Sequence, residues 1–204
     1  MDRIALVNRV KTLIDEISSS DSLIVDVGVE DNNPLDRMIE SLLDESAHEL
    51  LMKAPFYRLD ITSYDADPVA DEYDKTTGYI SLPDDFLRLV YFRMSDWLRP
   101  VTELAMKGDA VSVRQYNKHI RGGVARPVGV LSKTAEGMIV EYYSTNAKEH
   151  QVADFQYVKR VCAEQIPSQL TDAMCWICAG RTLAVMGRAD MANTAYGNAQ
   201  SLMH

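Results

Sequence analysis

Gly78-Tyr-Ile-Ser-Leu-Pro-Asp-Asp-Phe-Leu-Arg-Leu-Val-Tyr-Phe-Arg-Met94 decides the fold of this 204-residue chain. Gly78 turns the backbone into a short extended piece, Tyr79 to Leu82. Pro83 has no N–H to give to a ladder, so that piece is expected to be short or to lie at a sheet edge. Asp84 and Asp85 follow, and their carboxylates are suited to capping a turn. Phe86 to Met94 then reads as a strand, with Leu87, Leu89 and Tyr91 on one face and Arg88, Val90 and Phe92 on the other. Apolar residues on both faces predict cover on both sides. No reaction requires this arrangement, so it reads as scaffold.

Working outward, Ile4, Leu6, Val7, Val10, Leu13, Ile14 and Ile17 recur at helical spacing and predict a helix over 3–17, closed by Ser18-Ser19-Ser20. Residues 21–33 form a connector containing Leu23-Ile-Val-Asp-Val27. Asn33 as cap and Pro34 at the first helical position open a second helix that ends near Lys53, before Pro55. Leu35, Met38, Ile39, Leu42, Leu43, Ala47, Leu50 and Leu51 form its stripe, and Asp36, Glu40, Asp44, Glu45 and Glu49 its acidic face. From Phe56 the pattern becomes extended: Tyr57 to Tyr64, an acidic loop over 65–77, then the opening stretch. Ala105 to Val113 suits a turn of helix, and Gly122-Gly123 a flexible tip. Arg126 to Leu131 and Met138 to Tyr143 across the Glu136-Gly137 turn predict a hairpin. Phe155 to Val161 is the last strand. After Pro167, with Ser168 as a candidate cap, helix returns to Gly187, and an Ala-rich helix follows over 189–202.

The predicted class is α+β: N-terminal and C-terminal helices packed beside a central antiparallel sheet of four to six strands. The chain is taken as one domain, 1–204. Its parts are a helix and arm over 1–33, a helix over 34–55, the sheet over 56–165 with 107–127 as an inserted loop, and closing helices over 166–204.

A hydrophobic content of 47% is enough for a real core, and 25% charged residues is ordinary for a globular chain. No stretch is apolar enough to span a membrane, and Met1 to Ile17 lacks the pattern of a signal peptide. The net charge of −9 is uneven. Residues 1–75 hold 7 basic and 18 acidic side chains, a net of −11, whereas residues 107–133 hold six basic side chains against Asp109 alone. Such polarity suits contacts between copies, or a channel of one sign; an ordinary solvated surface is the alternative.

The sequence offers little chemistry. His48, His119, His150 and His204 lie in no ligand spacing. Cys175-Trp-Ile-Cys178 matches C-x-x-C, but its first cysteine falls inside an apolar helix rather than at a helix start, and Cys162 supplies no second zinc pair. Both read as buried small hydrophobes. Asp84 and Asp85, adjacent in sequence, do not pair as metal ligands. No catalytic, cofactor or metal residue is assigned, and the chain reads as a non-enzyme. The Gly122-Gly123 tip, with Arg114, Lys118, Arg121 and Arg126 around it, is the best candidate for touching phosphate or an acidic partner.

Gly78-Tyr-Ile-Ser-Leu-Pro-Asp-Asp-Phe-Leu-Arg-Leu-Val90 resembles the strand, Leu-Pro-x-Asp-Phe/Tyr, strand signature of head–tail connector adaptors of tailed double-stranded DNA phages. The helix with Asp44, Glu45 and Ala47, the Arg126-Pro127-Val128 and Met138-Ile-Val-Glu-Tyr-Tyr143 hairpin, and Leu170-Thr-Asp-Ala-Met-Cys-Trp-Ile-Cys-Ala179 resemble further parts of that family in the same order. In character the chain is similar to connectors of crAss-like phages of Bacteroides. The resemblance covers about residues 34–190. It implies a structural virion protein: a homo-oligomeric ring of about twelve copies at the neck, below the portal, joining capsid to tail around the passing genomic DNA. Portal and further neck or tail proteins would be its partners, and assembly would take place in the bacterial cytoplasm. No membrane partner or cofactor is implied. Asp36, Glu40, Asp44 and Glu45 facing Lys118, Arg121 and Arg126 of a neighbour form the expected contact set, and an acidic face lining the channel is the other use. A tail completion or minor capsid-associated protein, or a small nucleic-acid-binding protein using 107–133, are the alternatives.

Overall fold

A computed structural model describes residues 1–19, 34–146 and 150–204. The connector reading of 21–33, including the Asn33 cap, lies outside these residues. In chain order come α1 (Arg3–Ser19), α2 (Pro34–Lys53), β1 (Ile61–Ser63), β2 (Pro68–Ala70), β3 (Gly78–Ser81) and β4 (Phe86–Met94). They are followed by β5 (Leu104–Met106), α3 (Ala110–Gln115), β6 (Gly129–Lys133), β7 (Met138–Tyr142), β8 (Val152–Lys159), α4 (Thr171–Val185) and α5 (Ala189–Met203). The class is α+β, as the alternation of periods predicts.

Within the single domain expected, the chain forms two compact units. The chain divides into a helical unit, Met1–Asp60 with Arg160–His204, and a sheet unit, Ile61–Lys159. The physical reason is that each owns a core. In the helical unit Leu6, Val10 and Leu13 of α1, Ile39, Leu43 and Leu50 of α2, and Leu170, Met174 and Leu183 at and within α4 are fully buried. Ile4, counted in the α1 stripe, is exposed. Ser168 does not cap α4 with its side chain; it opens a 3₁₀ turn in which the Leu170 N–H donates to the Pro167 carbonyl at 2.8 Å.

Gly187 ends α4 rather than bending it. Its φ of +77° is the left-handed conformation glycine adopts without strain. The Arg188 N–H reaches the Leu183 carbonyl at 2.9 Å and the Gly187 N–H that of Ala184 at 3.0 Å, a Schellman cap. The small residues of α5 then allow close approach: Ala192, Ala195 and Ala199 are buried, and a Cβ added at Gly180 would stand 3.2 Å from the Tyr196 ring. Gly180→Leu is therefore expected to destabilise the helical unit by about 2 kcal/mol through overpacking, read as a lower urea midpoint at unchanged slope.

The sheet unit corrects the single antiparallel sheet. It holds a three-stranded sheet, order β1-β8-β4, and a five-stranded sheet, order β2-β3-β7-β6-β5. The pairing of β5 with β6 is parallel, so the second sheet is mixed. The β6–β7 hairpin forms as predicted, with Gly137 at φ +141° in its turn. Residues 65–77 are not all loop, since Pro68–Ala70 pairs with β3 as β2. β3 is short but lies inside its sheet, because Pro83 falls beyond its end.

The deciding stretch joins the two sheets. β3 belongs to one and β4 to the other, and the Phe86 N–H donating to the Pro83 carbonyl at 3.0 Å closes the turn between them. Asp84 and Asp85 occupy the middle of that turn, but the closure is main-chain. The Asp85 carboxylate instead accepts from the Tyr157 hydroxyl at 2.8 Å, tying the turn to β8. The strict face alternation expected of β4 fails. Register shifts interrupt its pairing with β8, one of them between Leu89 and Tyr91. Each bulge resets which way the following side chains point, so Leu89, Phe92 and Met94 are the buried residues. Cover of its two faces is uneven: Leu89, Phe92 and Met94 are buried, Leu87, Val90 and Tyr91 half-buried and Arg93 exposed, and β4 is the outer strand of its sheet, with a bridge between Phe92 and Val101 beside it. Ile80, Val140 and Tyr142 from one sheet and Leu89, Phe92, Phe155 and Tyr157 from the other share one apolar cluster.

Candidate functional site

The expected contact set is largely engaged within the chain. On α2, Asp36 pairs with Lys11 at 2.9 Å. Asp44 accepts from Arg3 at 3.1 Å and from the Ala163 N–H at 3.0 Å. These partners outweigh desolvation, and the Asp44 carboxyl lies below its usual range. Glu45 and Glu49 both hold Arg181, at 2.7 and 2.8 Å. Glu40 is exposed, and Arg3 donates to its backbone carbonyl at 2.9 Å. The helix face was legible as acidic; apart from Lys53, one turn after Glu49, its bases come from α1 and α4, too far along the chain for spacing to show.

Arg121 is the clearest correction. Its side chain is 8% exposed and is not available to a neighbour. Its Nη1 donates to Asp74 Oδ2 at 2.9 Å and to Thr76 Oγ1 at 3.0 Å, and its Nε donates to the Gln115 carbonyl. The guanidinium also stands over the Tyr143 ring, 5.3 Å from its centre. The segment after α3 is thereby clamped to the 71–77 loop. Nor does Gly122-Gly123 form the reaching tip expected of it. The Arg126 N–H donates to the Gly123 carbonyl at 3.2 Å, and Gly123 takes φ +63° in that turn. Arg114, Lys118 and Arg126 are exposed.

Asp74 is a residue sequence reasoning missed. Its carboxyl is held at about 2, first by the Thr76 hydroxyl and also by the Thr76 N–H and Arg121, against burial that would raise it. Because the folded value lies below the unfolded one, the ionised group stabilises the sheet unit above pH of about 4. That contribution is lost as pH falls toward 2. Asp74→Asn should therefore flatten the loss of stability between pH 4 and 2, measured by urea unfolding at each pH.

Nearby, the His150 Nε2–H donates to the Lys75 carbonyl at 2.9 Å, which leaves Nδ1 to accept from the Tyr142 hydroxyl at 2.6 Å. This too pins the 71–77 loop to β7. Asp96 accepts from the Thr145 hydroxyl at 3.0 Å.

The cysteines sit as the helix pattern predicts. Cys175 and Cys178 are buried, and burial pushes their thiols up to about 12 and about 11, far from thiolate reactivity. Cys162 is exposed. It lies with Asp44 and Glu164 in a group whose ligand atoms fall within 4.8 Å, but Arg3 already bridges both carboxylates. An open cavity of about 410 Å³ in the helical unit has Glu49 and Lys53 in its wall, and these two are paired with each other.

The surface of the sheet unit carries two stretches of one-sided charge. Residues 59–74 hold six acidic side chains and no base, and no acid occurs between Asp109 and Glu136. Both stretches expose large apolar side chains: Ile61, Val69 and Tyr73 in the first, Val111, Val113, Tyr116 and Ile120 in the second. The scan of protein-family models gives no match, and no curated protein matches the sequence. No helix among the described residues is long and apolar enough to cross a membrane.

Proposed function

We propose that the chain is a structural virion protein, a ring subunit of the phage neck that joins capsid to tail around the DNA channel. The observation that carries this reading is the Leu82-Pro83-Asp84-Asp85-Phe86 turn as the joint between two sheets. It is the motif on which the resemblance to connector adaptors rests, and its groups serve packing. Supporting it, residues 59–74 and 110–135 of the sheet unit hold charge of opposite sign, each with exposed apolar side chains beside it. A subunit that meets neighbours through different surfaces needs such a pair. The test is inactivation of the gene in the phage genome that encodes the chain. DNA-filled heads without attached tails are the expected product; infectious particles lacking the protein would end the reading.

A second reading is favoured by one observation, the exposure of Arg114, Lys118 and Arg126 in a stretch without acids. Three phosphate contacts would give duplex binding a log–log salt slope of about −2.7. Titration at two salt concentrations checks it, and absence of binding at low salt removes it.

A further inference from the structure

We infer that the two outer edges of the five-stranded sheet are the surfaces through which one copy of this chain meets the next, acidic edge to basic edge. This rests on the ring-subunit reading and names the contact within it. The topology places β2 at one outer position and β5 at the other. Four strand spacings of about 4.8 Å separate them by about 19 Å. Around β2, Asp65, Asp67, Val69, Asp71, Glu72 and Tyr73 are exposed, and burial alternates over 65–69, so Asp65, Asp67 and Val69 share one outward face. Val69 is 44% and Tyr73 95% exposed. Beside β5, which exposes Met106 at 54%, packs α3, presenting Val111 at 47%, Val113 at 54% and the exposed Arg114, with Lys118 beyond.

The occupant argued for is a second copy because each edge is the complement of the other. The β2 edge couples exposed apolar side chains to a run of acids, and the other couples them to Arg114 and Lys118, with Glu103 and Asp109 also exposed before α3. Two different patches on opposite edges make a heterologous contact, which propagates head to tail and closes when the rotation allows. The contact is made by side chains rather than by adding strand to strand. Pro68 in β2 has no N–H to donate, and the Met106 N–H of β5 is already taken by Asp109 Oδ2 at 3.0 Å. Arg121 takes no part, being held by Asp74. Asp109 accepts the Met106 N–H and keeps its negative charge, so the bases offered at this edge are Arg114 and Lys118.

The test is cysteine capture in the full chain with Cys162→Ser. Val69→Cys with Val113→Cys in one chain, mildly oxidised, is expected to give a ladder of dimers, trimers and larger species that reductant collapses. Either substitution alone should stop at dimers. Tyr73→Cys with Met106→Cys provides a second pair. Adding Arg114→Glu and Lys118→Glu should weaken the ladder about tenfold, and Asp65→Lys with Asp67→Lys in the same chain should restore it. All eight positions at the two edges are exposed, and unchanged unfolding midpoints confirm the fold. No ladder from either pair, or a ladder indifferent to charge reversal, overturns the inference. A ladder from a protein absent from the neck would keep the contact and remove the connector reading, so the two failures are distinct.

Discussion

Phe92→Ala is expected to destabilise the sheet unit by about 4 kcal/mol. Phe92 is fully buried in the middle of β4, with ring centres of Trp97 at 5.0 Å, Phe155 at 5.5 Å and Tyr142 at 6.5 Å. Tyr142 belongs to the five-stranded sheet and Phe155 to the three-stranded one, so the ring fills the space the two sheets share. Truncation loses its transfer free energy and leaves a cavity walled by stiff aromatic rings that collapse poorly. The Phe92–Val101 main-chain bonds, 2.7 and 2.8 Å, survive the substitution, so the loss is one of packing. Each unit has one tryptophan, Trp97 in the sheet unit and Trp176 in the helical unit. In a Trp176→Phe background, fluorescence in urea follows the sheet unit alone, which matters because two units need not unfold together. Arg93→Ala, exposed on the same strand, should change stability by less than about 0.5 kcal/mol. A Phe92→Ala loss no larger than that of Arg93→Ala would contradict the shared core.

Arg121→Ala is expected to cost about 3 kcal/mol in the same assay. The mechanism differs. Removing the guanidinium leaves Asp74, Thr76 and the Gln115 carbonyl short of a donor, and the Tyr143 ring without its cation. Lysine should recover less than half, because a single ammonium cannot serve Asp74 and the Gln115 carbonyl in the geometry of a planar fork. The Asp74 carboxyl should also move up from about 2 in Arg121→Ala, observable by carbon-detected titration. Loss of no more than a surface pair's worth, under about 1 kcal/mol, would mean that Arg121 is free to contact a neighbour after all. Because Arg121 is structural here, reversing its charge tests the fold and not assembly; Arg114 and Lys118 are the residues to reverse.

Local features of the fold were legible because local physics sets them. The Phe86–Met94 strand and the Pro34–Lys53 helix have the bounds their patterns predict, since a proline-bearing turn and a proline start mark them. The division into two sheets was not legible. β4 pairs with β8, some sixty residues later, and nothing in either strand's alternation names its partner. Bulges in β4 break the period from which its faces were read. At the candidate site, the segregation of charge was visible in composition, but its consumption was not. Arg121 looked like its neighbours Arg114 and Lys118; only the approach of Asp74, forty-seven residues upstream, sets it apart. The acidic run over 65–73 read as a loop because one short strand with a proline leaves a weak pattern.

The central claim is that this chain is a ring subunit at the neck of a virion. Electron cryomicroscopy of the particle assembled from the encoding genome tests it most directly. The account predicts density below the portal into which the two-sheet unit fits in every subunit of a closed ring, with the β2 edge of each copy facing the β5 edge of the next. A complete neck whose density is fully explained by other proteins, with this chain absent from it, would contradict the account.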